Sequence, residues 1–279
     1  MRLLAALTLT LASFWPHAML ADERELLLDH GIAATLNLPD GLGPFPAVLM
    51  LHGLGSSRDE VGGIFADAAL ALADAGIASL RIDFRGFGKS EGDTGAFTLE
   101  RQSQDAQIAL AALAATKGVD AGRLGVTGFS FGGAAAIELA AARPDLVRSA
   151  VALTPAGNYR ADMLASMGQR VFERAAEDGI AGIDFGWRTL ALRRGFFDSL
   201  SRHDLMAALA GYRGPLLIIN GEDDPYRPYA GPMLAASASA DKQAVVIPGS
   251  DHIFHVYKPS QSRVIEVIDL LVARFQATL

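Results

Sequence analysis

The segment Gly128-Phe129-Ser130-Phe131-Gly132-Gly133 carries the sharpest chemical signal in the chain. It follows the apolar run 124–127 and opens onto Ala134-Ala135-Ala136, so a strand passes directly into a helix at Ser130. A turn this tight forces the serine into a strained backbone conformation and leaves room only for glycine two residues away on either side. The hydroxyl is thereby pushed into open space as a nucleophile. The helix behind it offers first-turn N–H groups and a partial positive charge to any anion forming beside that oxygen.

Acyl transfer through a serine also needs a base, an acid that orients the base, and donors for the developing oxyanion. His52-Gly53-Leu54-Gly55, directly after the apolar run 47–51, is a glycine-flexed loop that supplies one donor from its backbone. The backbone N–H groups of Leu54 and Phe131 are the candidate oxyanion hole. His52 precedes the serine and has no second histidine at ligand spacing, so its ring is read as a brace for the loop. For the base, His252 follows the run 244–247 through Pro248-Gly249-Ser250-Asp251, with His255 the alternative. For the acid, Asn220-Gly221-Glu222-Asp223-Asp224-Pro225 follows the run 215–219. Asp224 is the candidate because Asp224-Pro225 closes the turn, and Asp223 is the alternative.

These groups meet only if the intervening chain builds a scaffold that delivers them to one edge. Short β-rich runs alternate with longer alanine-rich stretches, the pattern of an α/β fold with a mostly parallel sheet and crossover helices. Segments 25–29 and 33–38, split by His30-Gly31, read as an antiparallel hairpin at a sheet edge. The runs 47–51, 77–82, 124–127, 149–153, 215–220 and 244–247 read as strands covered on both faces. Helices are predicted over 64–74, 99–116, 132–142 and 263–275, with Gly76 and Gly118 ending the first two. In such sheets, ligands and catalytic groups gather at the carboxyl edge of the strands.

One interval breaks the rhythm. About 60 residues separate the run ending near Leu153 from the one starting at Pro215. Their content of large apolar side chains predicts a helical cap over 156–210 that roofs the serine, with Met163, Phe172, Phe185, Trp187 and Phe197 as the candidate substrate pocket. The rival reading is that these groups only hold the cap together.

Composition narrows the chemistry. The 279 residues contain no cysteine, which removes disulfides, thiolate metal sites and cysteine nucleophiles. A net charge of -7 is the wrong sign for gripping nucleic acid. No H-E-x-x-H metal motif and no dinucleotide-binding glycine fingerprint is present, so no metal or other cofactor is expected. At the N-terminus, Met1-Arg2, the apolar run 3–15 and Ala18-Met19-Leu20-Ala21 read as a signal peptide over 1–21, cut after Ala21 or, second, after Ala18. The run is too short to span a bilayer, so the expected mature protein is periplasmic or secreted, with no membrane span. A buried N-terminal helix is the alternative.

The chain resembles the α/β-hydrolase-fold serine hydrolases, and in pattern the small bacterial esterases of the feruloyl and cinnamoyl esterase type. The resemblance rests on the elbow at Ser130, on His52-Gly53, on Gly221-x-x-Asp224 and Gly249-x-x-His252, and on Asp83-Phe84-Arg85-Gly86-Phe87-Gly88-Lys89-Ser90, which is similar to a D-x-R-G-x-G-x-S segment of that family. Phe129, where those esterases often carry histidine, is similar to dienelactone-hydrolase-like members. The resemblance implies an eight-stranded, mostly parallel sheet, no cofactor, and hydrolysis of a small-molecule ester through an acyl-serine. Amide or peptide cleavage, lactone or carbon–carbon hydrolysis by the same residues, and a non-catalytic binding protein on this fold are the rival expectations.

Overall fold

Alternation along the central strand explains how the chain layers itself. In β3 (Phe45–Leu51), Ala47, Leu49 and Leu51 face one way and Val48 and Met50 the other, and all five are buried. The first set joins a cluster with Leu110 and Leu113 of α2 (Leu99–Ala114) and Ile137 of α3 (Phe131–Ala142). The second packs with Phe65 and Leu72 of α1 (Ile64–Asp74) and with Leu271 and Phe275 of α9 (Val264–Thr278). Both faces of the strand are thus covered by helices, and each fully buried Leu or Phe contributes roughly 1.5–3 kcal/mol.

This architecture comes from a computed structural model that describes residues 22–279. The predicted signal peptide over 1–21 lies outside the described residues. Eight strands form the main sheet in the order β1-β2-β4-β3-β5-β6-β9-β10. The strands not yet placed are β1 (Asp22–Leu28), β2 (Ile32–Leu38), β4 (Ala78–Ile82), β5 (Val119–Phe129), β6 (Val147–Leu153), β9 (Leu216–Gly221) and β10 (Lys242–Ile247), with α8 (Ala230–Ala236) between the last two. β1 pairs antiparallel with β2 and β2 with β4, while every other neighbouring pair is parallel. This is an α/β-hydrolase fold. Because β3, β5, β6, β9 and β10 run the same way, Leu51, Phe129, Leu153, Gly221 and Ile247 end at one edge, where each following loop emerges.

The interval between β6 and β9 departs from the expected all-helical cap. It holds α4 (Tyr159–Met167), α5 (Gln169–Asp178), α6 (Arg194–Ser199) and α7 (Leu205–Gly211), and also an antiparallel hairpin of β7 (Ile180–Asp184) and β8 (Thr189–Arg193). The hairpin obeys a period of two: Ala181, Ile183, Leu190 and Leu192 are buried between exposed neighbours. Gly186, at φ +79°, turns its tip, and Phe185 N–H donates to Arg188 O at 3.0 Å. Among the described residues, no helix is long and apolar enough to cross a membrane.

Candidate active site

Ser130 sits between β5 and α3 with φ +54° and ψ −118°, a conformation costing of order 1–3 kcal/mol that only the surrounding structure can hold. Its N–H donates to Leu153 O at 2.9 Å, and its carbonyl accepts from Ala134 N–H at 3.1 Å and Ala156 N–H at 3.2 Å. Close approach explains the flanking glycines. A Cβ on Gly128 would collide with the Gly132 carbonyl, and one on Gly132 with the carbonyls of Leu51 and His52. The elbow is therefore wedged against the end of β3, where the His52–Gly55 loop begins. Phe131 N–H is in the first turn of α3, where no intrahelical acceptor exists.

Of the two histidines, His252 reaches the candidate acid, its Nδ1 lying 2.9 Å from Asp224 Oδ1, while His255 Nδ1 pairs at 2.9 Å with Asp251 of its own loop. Asp224 is buried and also accepts from Asn220 Nδ2 at 2.7 Å and Tyr226 N–H at 3.0 Å. These three bonds satisfy the buried carboxylate, which orients the imidazole and leaves Nε2 as its other nitrogen. Phe129 and Tyr226 pack on the ring, with centroids 5.2 and 5.1 Å away. His255 instead turns back on its own loop, with Nε2 3.0 Å from Gly249 O. Asp223 is exposed; its N–H donates to Ser250 O at 2.9 Å, tying the loops of Asp224 and His252 together.

His52 is fully enclosed. Phe84 N–H donates to Nε2 at 3.0 Å, so Nδ1 carries the proton that is given to Gly53 O at 2.7 Å. Burial pushes its pKa down from 6.5 to about 4, so the ring stays neutral and braces the loop. Asp83 and Arg85 also serve as struts. Asp83 accepts from Arg58 N–H at 2.7 Å and Lys89 N–H at 2.8 Å, while Arg85 Nε pairs with Asp105 at 2.6 Å.

Sequence reasoning overlooked Glu60. Inside the polar run Ser56-Ser57-Arg58-Asp59-Glu60 nothing in the residue types distinguishes a buried carboxylate from a solvated one, yet Glu60 is 8% exposed. Its Oε2 accepts Gly53 N–H at 2.6 Å and its Oε1 accepts Val61 N–H at 2.8 Å. Burial pushes its carboxyl above the ordinary range, with the Gly53 and Val61 amides and the Ser56 hydroxyl pulling it back. Tyr226 was overlooked as well, since a tyrosine after Asp224-Pro225 carries no spacing signal.

Ser130, His252, Leu54, Phe131 and Glu60 line one cavity of about 760 Å³. Met163, Phe185 and Trp187 of the cap also face it, along with Arg188, whose guanidinium donates to Gly55 O. Phe172 and Phe197, expected in the pocket, are outside it. Their rings meet at 5.2 Å inside the core, because α5 and α6 turn those positions inward to hold the cap together.

A family model described as esterase FrsA-like matches residues 21–272. Esterase FrsA of Yersinia pestis (strain Pestoides F) is 30% identical over 234 residues, covering 78% of this chain and 51% of that protein. The chain spans between 36% and 64% of the length of the curated relatives it matches. Among solved structures, Est1E from Butyrivibrio proteoclasticus with ferulic acid bound aligns at a TM-score of 0.68 and 21% identity, over 90% of this chain and 99% of that one. A dienelactone hydrolase from Anabaena variabilis ATCC 29413 aligns at 0.60 and 20% identity, over 93% and 99%. With the family match running through the elbow and the loops of His52, Asp224 and His252, the chain belongs to the FrsA-like esterase family.

Proposed function

We propose that the protein is a serine esterase acting on small carboxylic esters. Ser130 Oγ attacks the ester carbonyl as His252 Nε2 takes its proton, while Asp224 holds the Nδ1–H and stabilises the imidazolium. The oxyanion is received by the N–H groups of Leu54 and Phe131 at the positive end of α3. Collapse expels the alcohol, protonated by His252, and leaves an acyl group on Ser130. Water, deprotonated by the same nitrogen, then hydrolyses it.

The observation that carries this reading is the hydrogen bond from His252 to buried Asp224, in a cavity shared with a serine held in a strained turn. Met163, Phe185 and Trp187 supply an apolar wall suited to an aryl or medium acyl group. Export through a leader over 1–21 belongs to the same proposal, and N-terminal sequencing of the protein secreted by its host tests it. The reaction is tested with p-nitrophenyl esters and a fluorophosphonate probe. Ester turnover and covalent labelling are expected from the native protein, and loss of both from a folded Ser130→Ala. Labelling retained in that variant overturns the reading.

A further inference from the structure

The peptide units on either side of Gly53 are gripped from opposite directions. On the carbonyl side, His52 Nδ1–H and Ser56 N–H both donate to Gly53 O, at 2.7 and 3.2 Å. That carbonyl shares its planar trans peptide with the Leu54 N–H, so fixing one end aims the other. Holding one plane is not enough. A glycine between two peptides can swing freely unless the preceding plane is held as well. Glu60 Oε2 holds it by accepting the Gly53 N–H at 2.6 Å.

The backbone of Glu60 adds a second, independent observation. It stands at φ +61° and ψ 179°, a region that is essentially glycine's. Were position 60 only a turn, glycine would fill it without strain. Instead the chain keeps there a carboxylate that is buried against the cavity and forms no ion pair among the described residues, with its oxygens accepting the amides of Gly53 and Val61.

We infer that Glu60 is a positioning residue for the oxyanion hole, holding the Gly53 peptide so that the Leu54 N–H points at the oxygen that becomes negative in the transition state. This rests on the serine-esterase reading above. The carboxylate is suited to the task because one group accepts both amides at once; a glutamine offers one acceptor oxygen, and its NH₂ opposes the second amide. Glu60 also lines the same cavity as Ser130 and His252.

The test compares Glu60→Gln, Glu60→Gly and Ser130→Ala with the native enzyme on p-nitrophenyl acetate, together with inhibition by an aryl trifluoromethyl ketone, whose adduct carries an oxyanion. Removing an oxyanion donor outright costs about 10²–10³ in turnover, so misaiming one is expected to lower kcat roughly 10- to 100-fold. KM should stay within about threefold and the ketone's Ki should rise in step with the loss of kcat. Glu60→Gly, freed of the backbone strain, should keep its thermal midpoint while showing the same kcat deficit. If folded Glu60→Gln keeps kcat within about threefold, or the loss falls on KM, the inference is wrong. Failure of both variants to fold makes Glu60 a structural strut and also overturns it. Full turnover by Ser130→Ala overturns the esterase reading beneath it, whereas an inactive Ser130→Ala beside a native-like Glu60→Gln overturns the inference alone.

Discussion

The floor of the cavity and its roof are built by different means. On the floor, Asp224 is satisfied by three neighbours, His52 by two, and Ser130 is held in a conformation it would not adopt alone. The roof uses such bonds where it joins the body, with Asp162 of α4 accepting from Gly157 N–H, Asn158 N–H and the Tyr229 hydroxyl, and Arg188 donating to Gly55 O. Its hairpin and helices are anchored by apolar packing of Phe172, Phe196, Phe197, Leu190 and Leu192, while Trp187 at the tip stays 65% exposed. Directional bonds locate atoms to a fraction of an ångström, as proton transfer and oxyanion binding require, whereas packing fixes a surface whose details can vary. Reaction type should therefore depend on the floor, and substrate preference on the roof.

The comparison is broken first at its strongest point. Ser130→Ala is expected to lose at least about 10⁴ in ester turnover with an unchanged thermal midpoint. Asp224→Asn should lose on the order of 10³–10⁴, about 4–5 kcal/mol of transition-state stabilisation, while Asp223→Asn stays within threefold on the same substrate. Equal losses from the two would mean that contact with His252 does not distinguish them. On the roof side, Phe172→Ala should destabilise the fold by about 3–5 kcal/mol in denaturant titration, yet leave the ratio of kcat/KM between short and aryl esters unaltered.

A smaller effect is expected from His52, which separates bracing from catalysis. Unfolded, this ring titrates near 6.5, and burial holds it at about 4 in the fold. Between those values the unfolded chain binds a proton that the native ring refuses, so the stability present above pH 6.5 drains away as pH falls toward 4. The difference is roughly 3 kcal/mol at 1.36 kcal/mol per unit. The raised carboxyl of Glu60 works with the opposite sign, since the folded protein takes up its proton first. Comparing the native protein with His52→Asn between pH 7 and 4 isolates the histidine; parallel stability curves would count against a neutral buried ring. The smallest change belongs to Trp187→Ala, expected to lower kcat/KM on aryl esters about three- to tenfold relative to acetate, with no effect on folding.

How much of this was legible in the sequence depended on whether residue type or long-range packing decided the outcome. The six runs after the first hairpin are all strands of the main sheet, and five are buried on both faces as expected, with Ser79 and Arg81 buried among them; the run 244–247 is not, because β10 is an edge strand that leaves Val246 41% exposed. The 64–74 helix has the predicted bounds, while α2 stops at Ala114 and α9 continues to Thr278, since helix ends follow local caps more than periodicity. The β7–β8 hairpin is encoded by the alternation of Ala181, Ile183, Leu190 and Leu192 about Gly186, but its strands are only five residues long and short apolar runs of that kind fit helix and strand alike. Glu60 was not legible at all. Its burial comes from the loop folding back to Gly53, and no local pattern encodes that return. Phe172 and Phe197 looked no different from Phe185 until α5 and α6 set which way each ring turns.

The wedge of Gly132 against the carbonyls of Leu51 and His52 has an evolutionary and an engineering consequence. The two proposed oxyanion donors sit on separate segments, and what separates those segments is the thickness of a missing methyl group. Any side chain at 132 would act as a shim, moving both donors apart together. Lineages diverging from this scaffold are thus barred from exploring that position, and a mutagenesis library aimed at new substrates is better spent on the cap, where sequence drift leaves the spacing untouched.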